Sequence, residues 1–538
     1  VSEEPKPHPE DETTSAWPFF SLCSLGIAQP LLEQLGGNPE FFVVKRSGPV
    51  DILLLPFLLC VGIPGIILLL IRVAGHIHRK LAPGIHTFFV FILIVNFVLV
   101  GLVRSLPVRG IYILSMAALL SVFAAWGYSR FKSIRMSFRF MAISLVIVPV
   151  LFFSKPPIIR LLIAKKVLMP NIRVTSNTPV VMVILDELPL RSLVNRQNEI
   201  DMELFPNLAE FSKHATWFRN ASSVSSVTPL AVPAILSGKY PKEGLIPTFF
   251  DYPKNIFTML KNSYELKVFE SATRLCPVDM PQSRMNPHHN LITRIWLTLK
   301  DLSAVYLHMI TPFEWSRILP PVMQDWGNFW AGPLGRVEGF QDFINSLKPA
   351  SKPALYFLHS GFPHHPWNTF PSLERQERLR TIILRKGLLP DNSMRTDIEH
   401  HLLQICFTDE LIGQLLARMK TLGLFDRSLI VITADHGFSL QPGGNGRTVT
   451  NSNYTEIMLV PLIIKTPYQK LGSVSDRNAE TIDILPTIAQ VLGVSTPWSD
   501  GSSLLNSSSP ERSKKLFFVA GSGLFLEFKP NMFPLIHN

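Results

Sequence analysis

Ser428-Leu-Ile-Val-Ile-Thr-Ala-Asp-His-Gly437 is a short apolar run that stops on a carboxylate, an imidazole and a glycine. Runs of β-branched residues this short read as buried strands, and open α/β sheets place their chemistry just beyond the carboxyl ends of such strands. Asp435 and His436 are therefore site candidates. A hard oxygen beside a borderline nitrogen ligand suits Zn²⁺ or Mn²⁺, and the glycine lets the backbone turn close to an ion. Alone, Asp-His-Gly reads more readily as a capped strand end with a surface histidine. A second strand of the same design lies far upstream, Val180-Val-Met-Val-Ile-Leu-Asp-Glu-Leu188, closed by Asp186 and Glu187. Two apolar strands that both end in ligand-type residues are hard to explain as packing.

The chain around them is unusually apolar. Of 538 residues, 47% are hydrophobic and only 17% charged, with mean hydropathy +0.24, values explained if one portion lies in lipid beside one large soluble domain. The net charge of +11 is scattered, with no Lys/Arg tract or zinc-finger spacing, so nucleic acid is not an expected partner. The excess reads as membrane-flanking charge. Cys23, Cys60, Cys276 and Cys406 form no disulfide framework or thiolate metal site.

Residues 1–16 are acidic and proline-bearing, which reads as a disordered lead rather than a secretory signal. Five apolar spans follow, at about 17–36, 50–73, 86–104, 110–128 and 137–154, each near the length that crosses a bilayer of ~30 Å. Gln29, Pro30 and Glu33 make the first the weakest. Arg72, Arg79 and Lys80 follow the second span, and Arg130, Lys132, Arg135 and Arg139 lie between the last two. The positive-inside rule makes those loops cytoplasmic and everything beyond the fifth span extracytoplasmic. The expected organisation is a membrane domain over 1–160, a basic connector over 161–178 with Lys165 and Lys166, an α/β catalytic domain over 179–510, and a tail of short strands over 511–538.

Within the catalytic part, a helix is expected near Leu204 to Lys213. It is followed by Asn220-Ala-Ser-Ser-Val-Ser-Ser-Val-Thr-Pro-Leu-Ala-Val-Pro-Ala-Ile-Leu-Ser-Gly-Lys-Tyr-Pro241, a hydroxyl-rich loop running into an apolar helix. Such a loop offers a nucleophile at a helix N-terminus, where free N–H groups favour an oxyanion, or simply an ordinary N-cap. Residues 285–348 carry Trp296, Trp315, Trp326 and Trp330, either an interfacial segment or core, with core the favoured reading. Residues 397–422, with Ile405, Ile412, Leu416 and Met419 at helical spacing, read as a packing helix.

Together the Val180, Asn220 and Ser428 stretches resemble the alkaline phosphatase superfamily, in its sulfatase-like branch that includes phosphoethanolamine transferases and lipoteichoic acid synthases. Further marks are Pro363-His-His-Pro-Trp367, Val460-Pro-Leu-Ile-Ile464, Thr481-Ile-Asp-Ile-Leu-Pro-Thr487 and Asp500-Gly-Ser-Ser-Leu504. The resemblance covers about 175–505, and an N-terminal transmembrane bundle of about five helices ahead of it is similar to the transferases. Counting back from Gly238-Lys-Tyr-Pro241 puts Thr228 at the sulfatase nucleophile position, and Thr228 with Pro233 matches the transferases' Thr-x-x-x-x-Pro setting.

The resemblance implies that Asp186, Glu187, Asp435 and His436, together with Thr228, hold one divalent ion, Zn²⁺ or Mn²⁺ in the first instance, with Ca²⁺ and Mg²⁺ as alternatives. Coordination would lower the pKa of a Thr hydroxyl and polarise an anionic substrate. Thr228 would attack phosphorus, and His364 would bind the transferred group or protonate the leaving group, with His365 as its substitute and His359 structural. The chain lacks the transferases' histidine shortly after Asp-His-Gly, so a second ion is not expected. Arg447 offers a bidentate clamp for the substrate anion, or is an exposed loop arginine. The implied activity is an extracytoplasmic transferase moving a phospho-alcohol head group from a lipid to an envelope glycan or lipid; the alternative is a hydrolase of phosphate or sulfate esters. Formylglycine chemistry is disfavoured, because oxidation of Thr gives a ketone. A binding or scaffold module is a third reading, weakened by the complete ligand set.

Overall fold

The computed structural model describes residues 15–77, 82–106, 108–163, 172–277, 290–316, 318–319, 335–391, 393–441, 446–506 and 510–533. Arg79, Lys80, Lys165, Lys166, Trp326, Trp330 and the lead up to residue 14 lie outside the described residues. The chain forms two units, Val1–Lys165 with His289–Asp325 and Lys166–His288 with Trp326–Asn538.

Among the described residues of the first unit, four helices are long and apolar enough to cross a membrane: Pro49–Ile77, Pro83–Ser105, Gly110–Arg130 and Lys132–Phe153. Leu69, Phe88, Leu119, Phe123, Val146 and Val150 stand outward on them. Such an apolar exterior is stable in hydrocarbon and not in water. The expected first span differs. Residues 17–37 are helical, as Trp17–Cys23, a π-helical turn Ser24–Ala28 and Gln29–Gly37, but do not count among the four. Gln29 and Glu33 make it too polar, and Phe19, Leu22, Leu31 and Leu32 are buried within the unit instead of facing outward.

The helix Leu291–Ile310 also belongs to this first unit. The core reading of residues 285–348 holds for Phe340, Phe343 and Leu347, which are buried in the second unit, but not for this helix: Leu302 is its one buried residue, and Trp296 is 61% exposed. Its apolar residues spread around the helix, so packing on one side leaves others uncovered.

Among its described residues the second unit has eleven strands: β1 Val180–Leu185, β2 Thr216–Phe218, β3 Ala221–Ser222, β4 Glu265–Phe269, β5 Ala354–Ser360, β6 Leu429–Ala434, β7 Leu462–Lys465, β8 Ser473–Ser475, β9 Ala479–Glu480, β10 Lys515–Val519 and β11 Leu524–Phe528. Seven make one sheet in the order β4-β5-β1-β6-β7-β2-β8, while β3 pairs with β9 and β10 with β11. The strands β4, β5, β1 and β6 are parallel neighbours, and β7 runs antiparallel to β6. Every residue of β1, β5 and β6 is buried, because helices and loops cover both sheet faces. Val181 and Val183 join one core with Ile430 and Ile432, while Val180 and Met182 join the other with Leu429 and Val431. Each such side chain contributes roughly 1.5–3 kcal/mol on burial, so a one-residue slip would be heavily penalised. That register pairs Leu185 with both Ala434 and Ser360. Asp186 and Asp435 therefore leave the sheet side by side.

Candidate active site

Three adjacent strand ends supply most of the site. Asp186 follows β1 and donates its N–H to the Phe362 carbonyl (2.9 Å), tying the β1 end to the loop after β5. Glu187 has φ 58°, in the left-handed region that a side chain other than glycine adopts only under constraint. The constraint is visible: its N–H donates to Asp435 Oδ1 (3.1 Å), and the His436 N–H donates to the same oxygen (2.7 Å). Gly437 is required by space rather than by an ion, since a Cβ there would meet the Glu456 carbonyl oxygen at 2.0 Å. Thr228 opens the helix Thr228–Ser237, which ends on Gly238 in the left-handed conformation. Its loop is braced by the C-terminal hairpin, with Phe518 N–H on the Val224 carbonyl (2.8 Å), and by Ser223 Oγ on the Asp435 carbonyl (2.5 Å).

The hydroxyl of Thr228 lies 3.3 Å from His436 Nε2. His436 Nδ1 lies 2.9 Å from its neighbour's carbonyl, Gly437 O, so Nδ1 carries the proton and Nε2 presents a lone pair. On the other side, Arg447 Nε donates to Glu187 Oε1 (2.6 Å) and its Nη2 to His364 Nε2 (2.7 Å). His364 Nδ1 bonds the His365 carbonyl, and His364 Nε2 lies 3.5 Å from Glu187 Oε2. Thr228, His364, Glu187, Asp435, His436 and Arg447 are thus linked through direct contacts. His365 is not among them: half-buried, it turns its ring against Trp367, 5.1 Å between centroids.

One atom each from Asp186, Asp435 and His359 lies within 4.8 Å of the others, all three residues buried. His359, expected to be structural, therefore belongs to the candidate metal group. It sits opposite Ile184 in the β1–β5 register, its Nδ1 2.6 Å from Ser271 Oγ and its Nε2 4.0 Å from Asp186 Oδ2. The signal was available, since Ala354-Leu-Tyr-Phe-Leu-His-Ser360 is a third apolar strand ending in a ligand-type residue. Both oxygens of Asp186, Oδ2 of Asp435 and Oε2 of Glu187 are buried without a hydrogen bond. Buried carboxylate oxygens with no donor are costly, and a divalent cation is the partner that suits them. The residues fit a metal, with mixed oxygen and nitrogen donors of the Zn²⁺ or Mn²⁺ type.

Electrostatics agree with that reading. Burial and the charges of Asp435 and Glu187 push Asp186 well above the usual carboxylate range. For Glu187, burial is outweighed by His364, Arg447 and His436, which hold it low. Burial holds His364 below the ordinary imidazole value despite Glu187, and pulls His359 down to about 4.

Two residues missed at the sequence level hold the His364 loop. Arg336 donates to the carbonyls of His364 (2.6 Å) and Pro366 (2.8 Å). Gln404 donates to those of Pro363 (3.0 Å) and His364 (2.9 Å), and accepts from the N–H groups of Asn368 and Thr369. The helix Arg395–Thr421, expected to serve packing alone, thereby also orders the site loop.

The sulfatase family model matches residues 337–494. The chain is 22% identical over 169 residues to an endo-4-O-sulfatase of Bacteroides thetaiotaomicron, covering 30% of this chain and 33% of that protein. It is 25% identical over 162 residues to lipoteichoic acid synthase 1 of Bacillus subtilis, covering 29% of this chain and 23% of that one. Among solved structures, a phosphonate monoester hydrolase of Silicibacter pomeroyi aligns with TM-score 0.43 and 20% identity, covering 63% of this chain and 79% of that chain. The matches span about a third or less of the length of the two curated relatives. The family match falls on the strands and loops that carry His359, His364, Asp435 and His436, so residues 337–494 are a sulfatase-like region of the alkaline phosphatase superfamily.

Proposed function

We propose that the second unit is a metal-dependent, extracytoplasmic transferase that moves a phospho-alcohol head group, of phosphoethanolamine or phosphoglycerol type, from a lipid donor by way of a covalent intermediate on Thr228. The observation that carries this reading is the Thr228 hydroxyl at the start of a buried helix, 3.3 Å from His436 Nε2. It stands beside carboxylates whose buried oxygens lack donors, in a chain with four helices able to cross a membrane. Asp186, Glu187, Asp435 and His436, with His359 added by geometry, would hold the ion. A bound divalent ion supplies Lewis acidity, lowering the pKa of the Thr228 hydroxyl and polarising the anionic substrate.

The rest falls to the chain's own groups. Thr228 Oγ gives up its proton and forms a bond to phosphorus while the bond from phosphorus to the lipid oxygen breaks, and that proton, passed on to the lipid oxygen, leaves phospho-threonine and diacylglycerol. Neutral His364, with Nδ1–H on the His365 carbonyl and Nε2 accepting from Arg447 Nη2, would bind the transferred group, and would take the proton of an acceptor hydroxyl that displaces Thr228 once Arg447 turns to the phosphate. Arg447 presents a planar fork suited to non-bridging phosphate oxygens. Charge supports the orientation: Arg130, Lys132, Arg135 and Arg139 flank one junction between helices and would mark the cytoplasmic side.

Similarity to an endo-4-O-sulfatase favours ester hydrolysis as the second reading. Incubating purified protein with phospholipid donors, with and without an alcohol acceptor, separates the two. Transfer to the alcohol with diacylglycerol release, and a phospho-threonine trapped at Thr228, is the expected result. Phosphate or sulfate released at the same rate without acceptor would replace the transferase by the hydrolase.

A further inference from the structure

The segment between β4 and β5 leaves the catalytic sheet's unit, and its helix Leu291–Ile310 takes a place among the apolar helices of the first unit. Only a few residues separate consecutive candidate spans, which forces each to reverse the direction of the last and puts Pro49, Ser105 and Gly110 at one end of the set. The inserted segment meets that end twice. Arg294 pairs with Asp51 (3.1 Å), and Glu314 accepts the Gly110 N–H (3.1 Å). Between these points it goes deeper. Tyr306 donates to the Gly26 carbonyl and lies 2.5 Å from Asn96 Nδ2, while Ile295, Thr298 and Leu299 line a crevice with Leu55 and Leu58. Asn96 and Leu58 are each nine residues from the end of their helix, about 13 Å at 1.5 Å per residue. A hydrocarbon core is only ~30 Å thick, so this is acyl-chain depth rather than head-group height.

The outer face then has an unusual composition for a helix in water. Ile292 is 79% exposed, Trp296 61% and Leu307 43%, with Lys300 and Ser303 also exposed between them. Phe313 and Ile318 continue the apolar surface beyond the helix. Apolar anchors, an indole and one long cationic stem are what an interfacial segment presents, the lysine extending its ammonium back to the head groups. We propose that Leu291–Ile310 is a lipid-facing helix: an insertion from the catalytic sheet that beds into the membrane bundle and turns Ile292, Trp296 and Leu307 onto the bilayer. Continuity with the apolar exterior of the spans, and its depth beside Asn96 and Leu58, name lipid as the occupant. The inference rests on the reading that the four helices cross a membrane.

Spin labels test it in full-length protein reconstituted into phosphatidylcholine/phosphatidylglycerol vesicles. The cysteines present are all buried, so a surface position made Cys labels selectively. Labels at Ile292→Cys and Leu307→Cys should favour oxygen over a water-soluble nickel complex several-fold, like labels at Leu69→Cys and Phe123→Cys on the spans. A label at Leu373→Cys, exposed in the second unit, should favour nickel. Nickel preference at 292 and 307 with oxygen preference at 69 and 123 would overturn the lipid-facing helix alone. Nickel preference at all four would overturn the membrane reading and this inference with it. Dipolar broadening between singly labelled copies at 292 or 307 would replace lipid by a second copy as the occupant. Independently of labelling, brominated lipid should quench the emission that Trp296→Phe removes, and an unquenched difference would count against the proposal.

Discussion

Two buried charge clusters stand in the second unit, and they are built in opposite ways. In one, Asp483 accepts from Arg512 Nη1 (2.6 Å) and Nη2 (2.5 Å), from the Ser502 N–H (2.7 Å) and from the Glu480 N–H (2.9 Å). Glu480 accepts from the Leu516 N–H (2.8 Å) and the Tyr240 hydroxyl (2.5 Å), and Lys515 Nζ donates to the Asn220 and Ala479 carbonyls. In the other, the oxygens of Asp186, Oδ2 of Asp435 and Oε2 of Glu187 have no donor. Both clusters are equally withdrawn from water, so burial does not distinguish structure from function here. Satisfaction does. A cluster whose function is to hold the fold answers every lone pair from within the chain, whereas one built to take a ligand leaves its oxygens aimed at a site the chain does not fill.

The largest expected effect falls on chemistry without stability. Asp435→Asn keeps an acceptor for the Glu187 and His436 N–H groups but removes a charge that raises Asp186, and Thr228→Ala removes the proposed nucleophile. Each should lower turnover on the order of 10⁴-fold or more, while the melting temperature compared between metal-free proteins stays level or, for Asp435→Asn, rises. An Asp435→Asn protein that melts early would break the contrast between the clusters.

Next comes its mirror image. Asp483→Ala leaves the half-buried Arg512 without its bidentate partner and the Glu480 and Ser502 N–H groups without an acceptor, and should destabilise the second unit by about 3–5 kcal/mol, read as an earlier unfolding transition. Metal binding per mole of folded protein should be unchanged. Metal loss in the folded variant would mean that the two clusters are not separate.

Chelation should act on one cluster alone. Removing the ion from wild-type protein that holds it at about 100 Kd should cost about 2.7 kcal/mol of apparent stability. The shift should vanish in Asp435→Asn and persist in Lys515→Met. An equal shift in all three would move the ion elsewhere.

The smallest effect is a pH slope. Burial lowers the folded-state pKa of Lys515 to about 7 despite the nearby Glu480, against an ordinary value of 10.5. Between these values the unfolded chain binds a proton that the folded chain does not, so this residue's contribution makes stability rise with pH from about 7 to about 10.5. Comparing wild type with Lys515→Met should isolate that slope in urea titrations across this window. A slope unchanged by the substitution would show the amine already charged in the fold.

How much of this was legible beforehand depended on the range of the interaction. Asp186, Glu187, Asp435 and His436 were readable because apolar strands and the groups that end them are adjacent in sequence. His359 carried the same local signal at the end of β5 and was read as structural. Arg336 and Gln404 carried none: they act on backbone carbonyls 28 to 41 residues away, and no periodicity records such a pairing. The helix Leu291–Ile310 was misread because its composition suits core and interface alike, and only its neighbours distinguish them.

By itself, the sequence determined what local chemistry determines: apolar runs of bilayer length, strands buried on both faces, and ligand-type residues where three strands stop. Each follows from side chains close in the chain and the solvent they avoid. Tertiary structure alone decided that 17–37 is wrapped inside its unit, that Arg447 joins Glu187 to His364, and which carboxylate oxygens keep a donor. Those outcomes depend on pairings between residues up to about 260 positions apart, where register and packing, rather than residue type, choose the partner.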